Sequence, residues 1–151
     1  MGIVCVKKFW EVKILDELSD DEWAALCDRC GQCCLHKIQD EDTDNIYITR
    51  VACKLLDIKT CQCKHYEMRT QWVQDCLDLR EMSTEEYQWL PVTCAYRLLH
   101  EGKPLFDWHP LISGKSSSVK RAKMSVAHLA ISETLIKNMD DLEDYILYQQ
   151  M

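Results

Sequence analysis

Glycine is scarce in this chain, with 4 among 151 residues. Neither a P-loop, a dinucleotide-binding glycine pattern nor a nucleophile elbow is present. A phosphate-cradling site is therefore disfavoured, and no catalytic motif is recognised. Long apolar runs are also missing: nothing approaches the roughly 20 residues that cross a bilayer. The N-terminus offers only Ile3-Val4-Cys5-Val6 before Lys7 and Lys8. A secretory signal has the opposite order and a longer apolar stretch. Gly2 would suit myristoylation, but Val6 stands where Ser or Thr is expected. These absences point to the cytoplasm and to no membrane partner. Positive charge is in deficit, with 18 Lys and Arg against 25 Asp and Glu and a formal net charge of -7. Nucleic acid is then a poor partner, because sequence-independent affinity comes from Lys and Arg on phosphates. Docking on anionic lipid is disfavoured for the same reason.

What the chain does contain is a hydrophobic share of 47% with 28% charged residues, enough to bury a core. It also contains 10 cysteines, and apart from Cys5 all of them lie between Cys27 and Cys94. Stable disulfides are rare in a reducing compartment, and scattered core thiols do not explain such clustering. Metal ligation does.

Ser19-Asp20-Asp21-Glu22 has the form of a capping box that opens a helix. Trp23, Leu26, Cys27, Cys30 and Cys34 then recur at helical spacing, with Gly31 as a weak point where a turn could form. Residues from Asn45 to Cys53 alternate as a strand, and Thr60 to Tyr66 reads as a second extended piece. Ser83-Thr84-Glu85-Glu86 is another capping box, opening a short helix that Pro91 ends. A further helix runs from Thr93 to His100, closed by Gly102 and Pro104. Gly114 to Lys123 reads as a mobile basic loop. Met124 to Ile131 is ambiguous between strand and helix, and Asp140 to Tyr148 reads as an amphipathic helix capped by Asp140. With no internal repeat, the expected architecture is α+β: a small irregular domain of short helices and few short strands organised around a cysteine metal site. It would be one cysteine-cluster domain over 1–151, with a core at 9–114, a basic loop at 115–123 and a C-terminal extension at 124–151.

Cys27-x-x-Cys30-x-x-Cys33-Cys34 is the most informative feature. Soft thiolates suit zinc and iron–sulfur centres, and two intervening residues let sulfurs turn toward one point. Neighbours on a helix diverge by roughly 100°. Cys33 and Cys34 would therefore serve different centres, or one would bridge two metals, or Cys34 would simply be a buried thiol. A second group comprises Cys53, Cys61, Cys63 and Cys76. Cys61 and Cys63 alternate like strand residues, so one can join the centre while the other packs in the core. Together these eight cysteines could make two four-thiolate sites. Cys94, on the predicted helix, reads as a core thiol, and Cys5 receives no role.

The quartet, Cys53, and the run Cys63-Lys64-His65-Tyr66-Glu67-Met68-Arg69 followed by Cys76 resemble the CxxCxxCC zinc- or iron-chelating family, the YkgJ-type cysteine cluster. Further segments narrow the resemblance to its YcgN-like subfamily, which is bacterial. They are Leu15 to Asp20, Cys27 to Lys37, Asp40 to Asp44, Lys59 to Cys63, Trp89 to Pro91, Thr93 to Leu99 and Trp108 to Leu111. One departure stands out: the broader family often has Arg-Pro where this chain has Arg69-Thr70. The resemblance implies binding of zinc or iron, with an iron–sulfur cluster as one form, and no established reaction. A related cysteine domain in a flagellin lysine methylase implies an alternative, an iron–sulfur protein in electron transfer or supporting a redox or methyl-transfer enzyme. A thiol–disulfide oxidoreductase is a weaker alternative, since no isolated Cys-x-x-Cys sits in a strand–helix unit.

Asp40-Glu41-Asp42-Thr43-Asp44 gathers four carboxylates but lacks the central Gly and terminal Glu of an EF-hand loop, so a solvated acidic turn is expected. His36 and His65 each follow a cysteine by two residues and could replace one as ligand. Trp108-His109-Pro110 is expected to anchor a loop.

Overall fold

The computed structural model describes residues 8–73, 76 and 78–150. Gly2 and Cys5, and the readings attached to them, lie outside the described residues. Short elements dominate. Helices α1 (Phe9–Val12), α2 (Asp20–Leu26), α3 (Arg69–Trp72), α4 (Ala95–His100), α5 (Pro110–Ser113) and α6 (Ser118–Arg121) alternate with 3-10 turns. The strands are β1 (Leu35–Gln39), β2 (Ile46–Ala52), β3 (Leu56–Asp57), β4 (Gln62–Cys63), β5 (Ile131–Ser132) and β6 (Ile146–Gln150). The expected α+β class is what the chain adopts.

Helix α2 starts as its sequence dictates. Ser19 Oγ accepts from the Glu22 N–H at 3.2 Å and Glu22 Oε1 accepts from the Ser19 N–H at 2.9 Å. Two otherwise orphaned donors are thereby satisfied. The helix does not continue through the cysteines, as their spacing suggested. It ends at Leu26, and Cys27 is extended at φ -68, ψ 125. Arg29 and Gly31 then take left-handed φ values of 60 and 81. Asp28 Oδ1 accepts from the Cys30 N–H at 3.0 Å, a local bond that competes with helix. Glycine is required at 31 for a second reason: a Cβ there would lie 2.7 Å from Val126 Cγ2.

Strand β2 is central to the larger sheet. It pairs antiparallel with β1 along one edge, and along the other it pairs antiparallel with β6 and parallel with β5. Ile48, Thr49, Val51 and Ala52 are fully buried. Asp40 closes the β1–β2 hairpin as a turn residue. Its Oδ1 accepts from the Asp42 and Thr43 N–H groups, and these bonds hold its carboxyl below the usual range. The acidic stretch is thus the exposed turn expected for it.

Four expectations shift here. Residues 146–150 form β6 rather than helix, because the open edge of β2 offers a ladder that the chain end can fill. The turn before it, Met139–Tyr145, is 3-10 and is capped by Asn138, not Asp140. The basic segment after Gly114 is no loose loop: it contains α6, whose Val119 is buried at 3% exposure. The 83–86 box forms a 3-10 helix, Glu85–Trp89, with Glu86 accepting from the Ser83 N–H at 2.7 Å. The piece expected over 60–66 reduces to β4, paired with β3.

Two apolar clusters result. One gathers Leu18, Trp23, Leu26, Tyr87, Leu90, Tyr96, Leu98 and Leu105 between α2 and α4, with Cys94 packed against it. The other gathers Leu35, Ile48, Ala52, Leu56, Cys61 and Val126 on the sheet, with Cys34 packed against it.

Candidate metal centre

The cysteine loop runs between those clusters. Its entry is fixed from the helical side. Tyr96 donates its hydroxyl to the Trp23 carbonyl at 2.6 Å, and the two rings pack tilted to one another with centroids 4.8 Å apart. His109 Nε2 donates to the Leu26 carbonyl at 2.7 Å while its Nδ1 accepts from the Leu111 N–H at 3.0 Å. This buried histidine fixes the residue before Cys27 and caps α5, the anchoring role expected of it. Cys27, which closes α2, and Cys94, which precedes α4, are therefore held by helices tied to each other.

The exit is fixed by the sheet. The Cys53 N–H donates to the Cys34 carbonyl at 2.8 Å, extending the β1–β2 pairing. A turn then brings the Leu55 N–H to Cys53 Sγ at 3.5 Å, and the β3–β4 register sets Leu56 opposite Cys63. Cys34, Cys53 and Cys63 are thus linked by consecutive backbone pairings. Cys76 follows α3, on a segment steadied by Arg69. The guanidinium lies 3.9 Å from the Tyr66 ring centroid, donates to the Tyr66 carbonyl at 2.7 Å and reaches Asp78 at 3.8 Å. Thr70 lies in the first turn of α3, a position that tolerates proline as well.

The electrostatics link these thiols. Desolvation of its sulfur pushes Cys27 up to about 12, helped by Cys33 and Asp28, although the residue as a whole is exposed. Burial also raises Cys30 well above its ordinary value, with Asp28, Cys33 and Cys94 adding to it. Cys94 is raised by burial and further by Cys33 and Cys27. The mutual interaction of Cys33 and Cys34 is the main reason that Cys34 is raised and that Cys33 is lowered to about 7. The charges of Cys53 and Cys63 also act on Cys34. Burial raises Cys53 and Cys76, and Cys63 pushes on both. Arg69 opposes the rise at Cys76. Lys37 lies among Cys30, Cys33, Cys34 and Cys94, donating to the Leu35 carbonyl at 3.0 Å and more weakly to that of Cys33 at 3.4 Å.

Among the described residues, no three Cys, His, Asp or Glu side chains stand as ligands about one point. The donor set nonetheless suits a soft cation, since every described cysteine is a free thiol. A second observation agrees: Asp28, 7% exposed, has its Oδ2 buried with no hydrogen-bond partner, beside Cys27, Cys30 and Cys33. A buried carboxyl oxygen without a partner is costly unless a donor or positive charge is near. Cys27 and Asp28 line a cleft of about 510 Å³ that also carries Arg29, Lys59 and Lys120, giving solvent a path to the loop.

Cys61 sits elsewhere. Its Sγ is 3.3 Å from Ser125 Oγ and 3.8 Å from the Ile58 carbonyl, within the sheet-side cluster. It lies behind Gly31, 3.4 Å from where a Cβ on that residue would stand. Cys61 and Cys63 do part company, and Cys63 is the one that joins the other thiols. His36 forms an ion pair with Glu133, and His65 packs on Trp72 at 4.4 Å, so each ring has another partner. Sequence reasoning missed Cys94, Lys37 and Asp28. Their signal was present: Asp28 and Lys37 lie within the Cys27 to Lys37 run, and Cys94 within Thr93 to Leu99. No helix among the described residues is long and apolar enough to cross a membrane.

The family model "CxxCxxCC: Putative zinc- or iron-chelating domain" matches residues 26–95, a span that begins one residue before Cys27 and ends one after Cys94. A UPF0260 protein of Proteus mirabilis is 55% identical over 92% of this chain and 92% of its own length. The UPF0260 protein YcgN of Salmonella paratyphi A is 53% identical over 92% of each, and that of Salmonella newport is 53% identical over 92% of this chain and 89% of its own. No solved structure matches the chain. With this identity over nearly its whole length and the motif spacing intact, the chain belongs to the YcgN-like UPF0260 family of CxxCxxCC-domain proteins.

Proposed function

We propose that this protein binds zinc or iron through cysteine thiolates, as a structural or chelating protein of the cytoplasm. The observation that carries the reading is the run of free thiols from Cys27 to Cys34, with Cys53 tied to it by its backbone bond to the Cys34 carbonyl and one Asp28 carboxyl oxygen buried beside it without a partner. Lys37 and Arg69 supply positive charge that offsets part of the negative charge of a loaded thiolate site.

A thiol–disulfide oxidoreductase is less well supported. Its reactive cysteine is activated at a helix N-terminus or beside a cation. Here the Cys27–Cys30 pair follows the C-terminal end of α2 and not a helix N-terminus.

Elemental analysis of tag-free protein, purified without oxygen from metal-replete cells, tests the proposal. About one metal or more per chain is expected, since such sites bind tightly. Less than about 0.2 per chain would contradict it. Colour separates the forms: an iron–sulfur centre, as electron transfer or support of a redox or methyl-transfer enzyme would require, is brown, and zinc is colourless.

A further inference from the structure

We infer that the cleft of about 510 Å³ beside the cysteine loop is a binding site for a compact multivalent oxyanion, a phosphate ester or a di- or tricarboxylate. The inference concerns basic residues to which metal binding gives no role, and it does not rest on the metal-binding reading.

Three segments far apart in sequence build the walls, and each is fixed. The first is the loop at Arg29, held by the Cys30 carbonyl, which accepts from the Val126 N–H at 2.9 Å. The second is the turn at Lys59 and Thr60. Asp57 Oδ1 accepts from their N–H groups at 3.0 and 3.3 Å, and the Asp57 carbonyl accepts from the Cys61 N–H at 2.7 Å. The third carries Ser116, Ser117 and Lys120. It is anchored by buried Val119 and by the Ser118 hydroxyl, which donates to Ser113 Oγ at 2.7 Å. Cys61 joins the three: its Sγ is 3.3 Å from Ser125 Oγ, and its side chain packs behind Gly31. The cleft therefore has a fixed backbone frame.

Charge sets the sign of the ligand. Arg29, Lys59 and Lys120 line the cleft against one acid, Asp28. That acid is turned inward, at 7% exposure, with Oδ1 accepting from the Cys30 N–H and Oδ2 buried. Three cations against one withdrawn carboxyl leave an excess of positive charge here, in a chain whose formal net charge is -7. Lys13, Arg69, Arg80, Arg97 and Lys103 are each paired with a carboxylate, whereas among the described residues none of the three cleft cations is. Like charges around one concavity focus their field into it, and an anion relieves their repulsion. The hydroxyls of Thr60, Ser116 and Ser117 and the amide of Gln62 add neutral donors for its oxygens.

Size and lining narrow the class. The volume lies in the range of small-molecule sites. No aromatic side chain among the described residues lines the cleft, so a nucleobase would find no ring to stack on. The glycine-rich backbone cradle missing from the sequence is not needed, because Arg, Lys and hydroxyl side chains themselves suit phosphate and carboxylate oxygens.

The test is an amide-shift titration of the intact isotope-labelled chain, with its metal content as purified and at constant ionic strength. Inorganic phosphate and succinate are the divalent probes, and acetate is the monovalent control. Saturation in the low-millimolar range or tighter is expected with at least one divalent probe, with shifts centred on Arg29, Lys59, Thr60, Ser117 and Lys120. Saturation by phosphate alone assigns the site to a phosphate ester, and by succinate alone to a polycarboxylate. Lys59→Gln combined with Lys120→Gln should weaken binding about tenfold. Lys64→Gln, at an exposed cation outside the cleft, should leave it unchanged. No saturation by either probe, an equal response to acetate, or equal losses from the two substitutions would overturn the inference. Elemental analysis of the same samples reports on the metal-binding reading separately.

Discussion

On the helical side of the cysteine loop, Trp23, Tyr87 and Tyr96 supply large apolar surfaces and the hydrogen bonds of Tyr96 and His109 fix their orientation. On the sheet side the cluster is smaller and aliphatic, and alignment comes from the β1–β2–β6 ladder. Each side holds itself together by ordinary burial and backbone pairing. The loop between them has neither resource. Its backbone passes through left-handed residues at 29 and 31, its carboxylate at Asp28 is unpaired, and it presents thiols where a core would present leucines. The difference teaches where a metal contributes to stability: at the seam, not in the two bodies.

The largest effect should come from attacking the seam. Structural zinc sites contribute roughly 10–16 kcal/mol of binding free energy at neutral pH. Cys30→Ser is expected to forfeit a large part of that, lowering metal content and melting temperature together, whereas Cys5→Ser should change neither. Equal effects from the two would erase the distinction. Next in size, Leu26→Ala removes a fully buried side chain from the helical cluster, a change that costs about 2–5 kcal/mol. Denaturant titration should give the same loss with and without a chelator, because that cluster does not depend on the metal.

Smaller effects sharpen the boundary. Gly31→Ala puts a Cβ 2.7 Å from Val126 Cγ2 at a left-handed position, expected to cost about 1–3 kcal/mol. The loss should be accompanied by weaker metal uptake, measured by competition with a chromophoric chelator. Ser19→Ala removes the cap of α2, at about 1 kcal/mol, and should leave metal content unchanged. Acidification acts on the seam through its thiols. Cys27 and Cys30 are raised and so are protonated when free at neutral pH. Metal must displace those protons, and affinity should fall steadily as pH falls.

Much of the framework was legible because local signals agreed with tertiary demand. The Ser19–Glu22 box and the alternating Ile46–Ala52 strand stand where the sequence puts them. The misread pieces share one cause. Helical spacing through Cys27–Cys34 and Asp140–Tyr148 was real, but in the first the Asp28 side chain and left-handed Arg29 and Gly31 diverted the chain, and in the second the open edge of β2 recruited it. Periodicity cannot register a partner that arrives from a distant segment. The same limit bears on Cys94: its own segment reads as helix and core, where it does pack, and the bond that staples α4 to α2 cannot be read from it. Cys61 and Cys63, near in sequence, part as their alternation suggested, because a left-handed φ of 58 at Cys61 turns the chain between them.

X-ray absorption at the metal edge of anaerobically purified protein tests the central claim most directly, because it reads the donor atoms themselves. A shell of about four sulfurs near 2.3 Å is expected for zinc, or sulfur with an additional metal–metal feature for an iron–sulfur cluster. A shell dominated by nitrogen or oxygen near 2.0–2.1 Å would contradict the assignment of the thiols as the metal-binding groups.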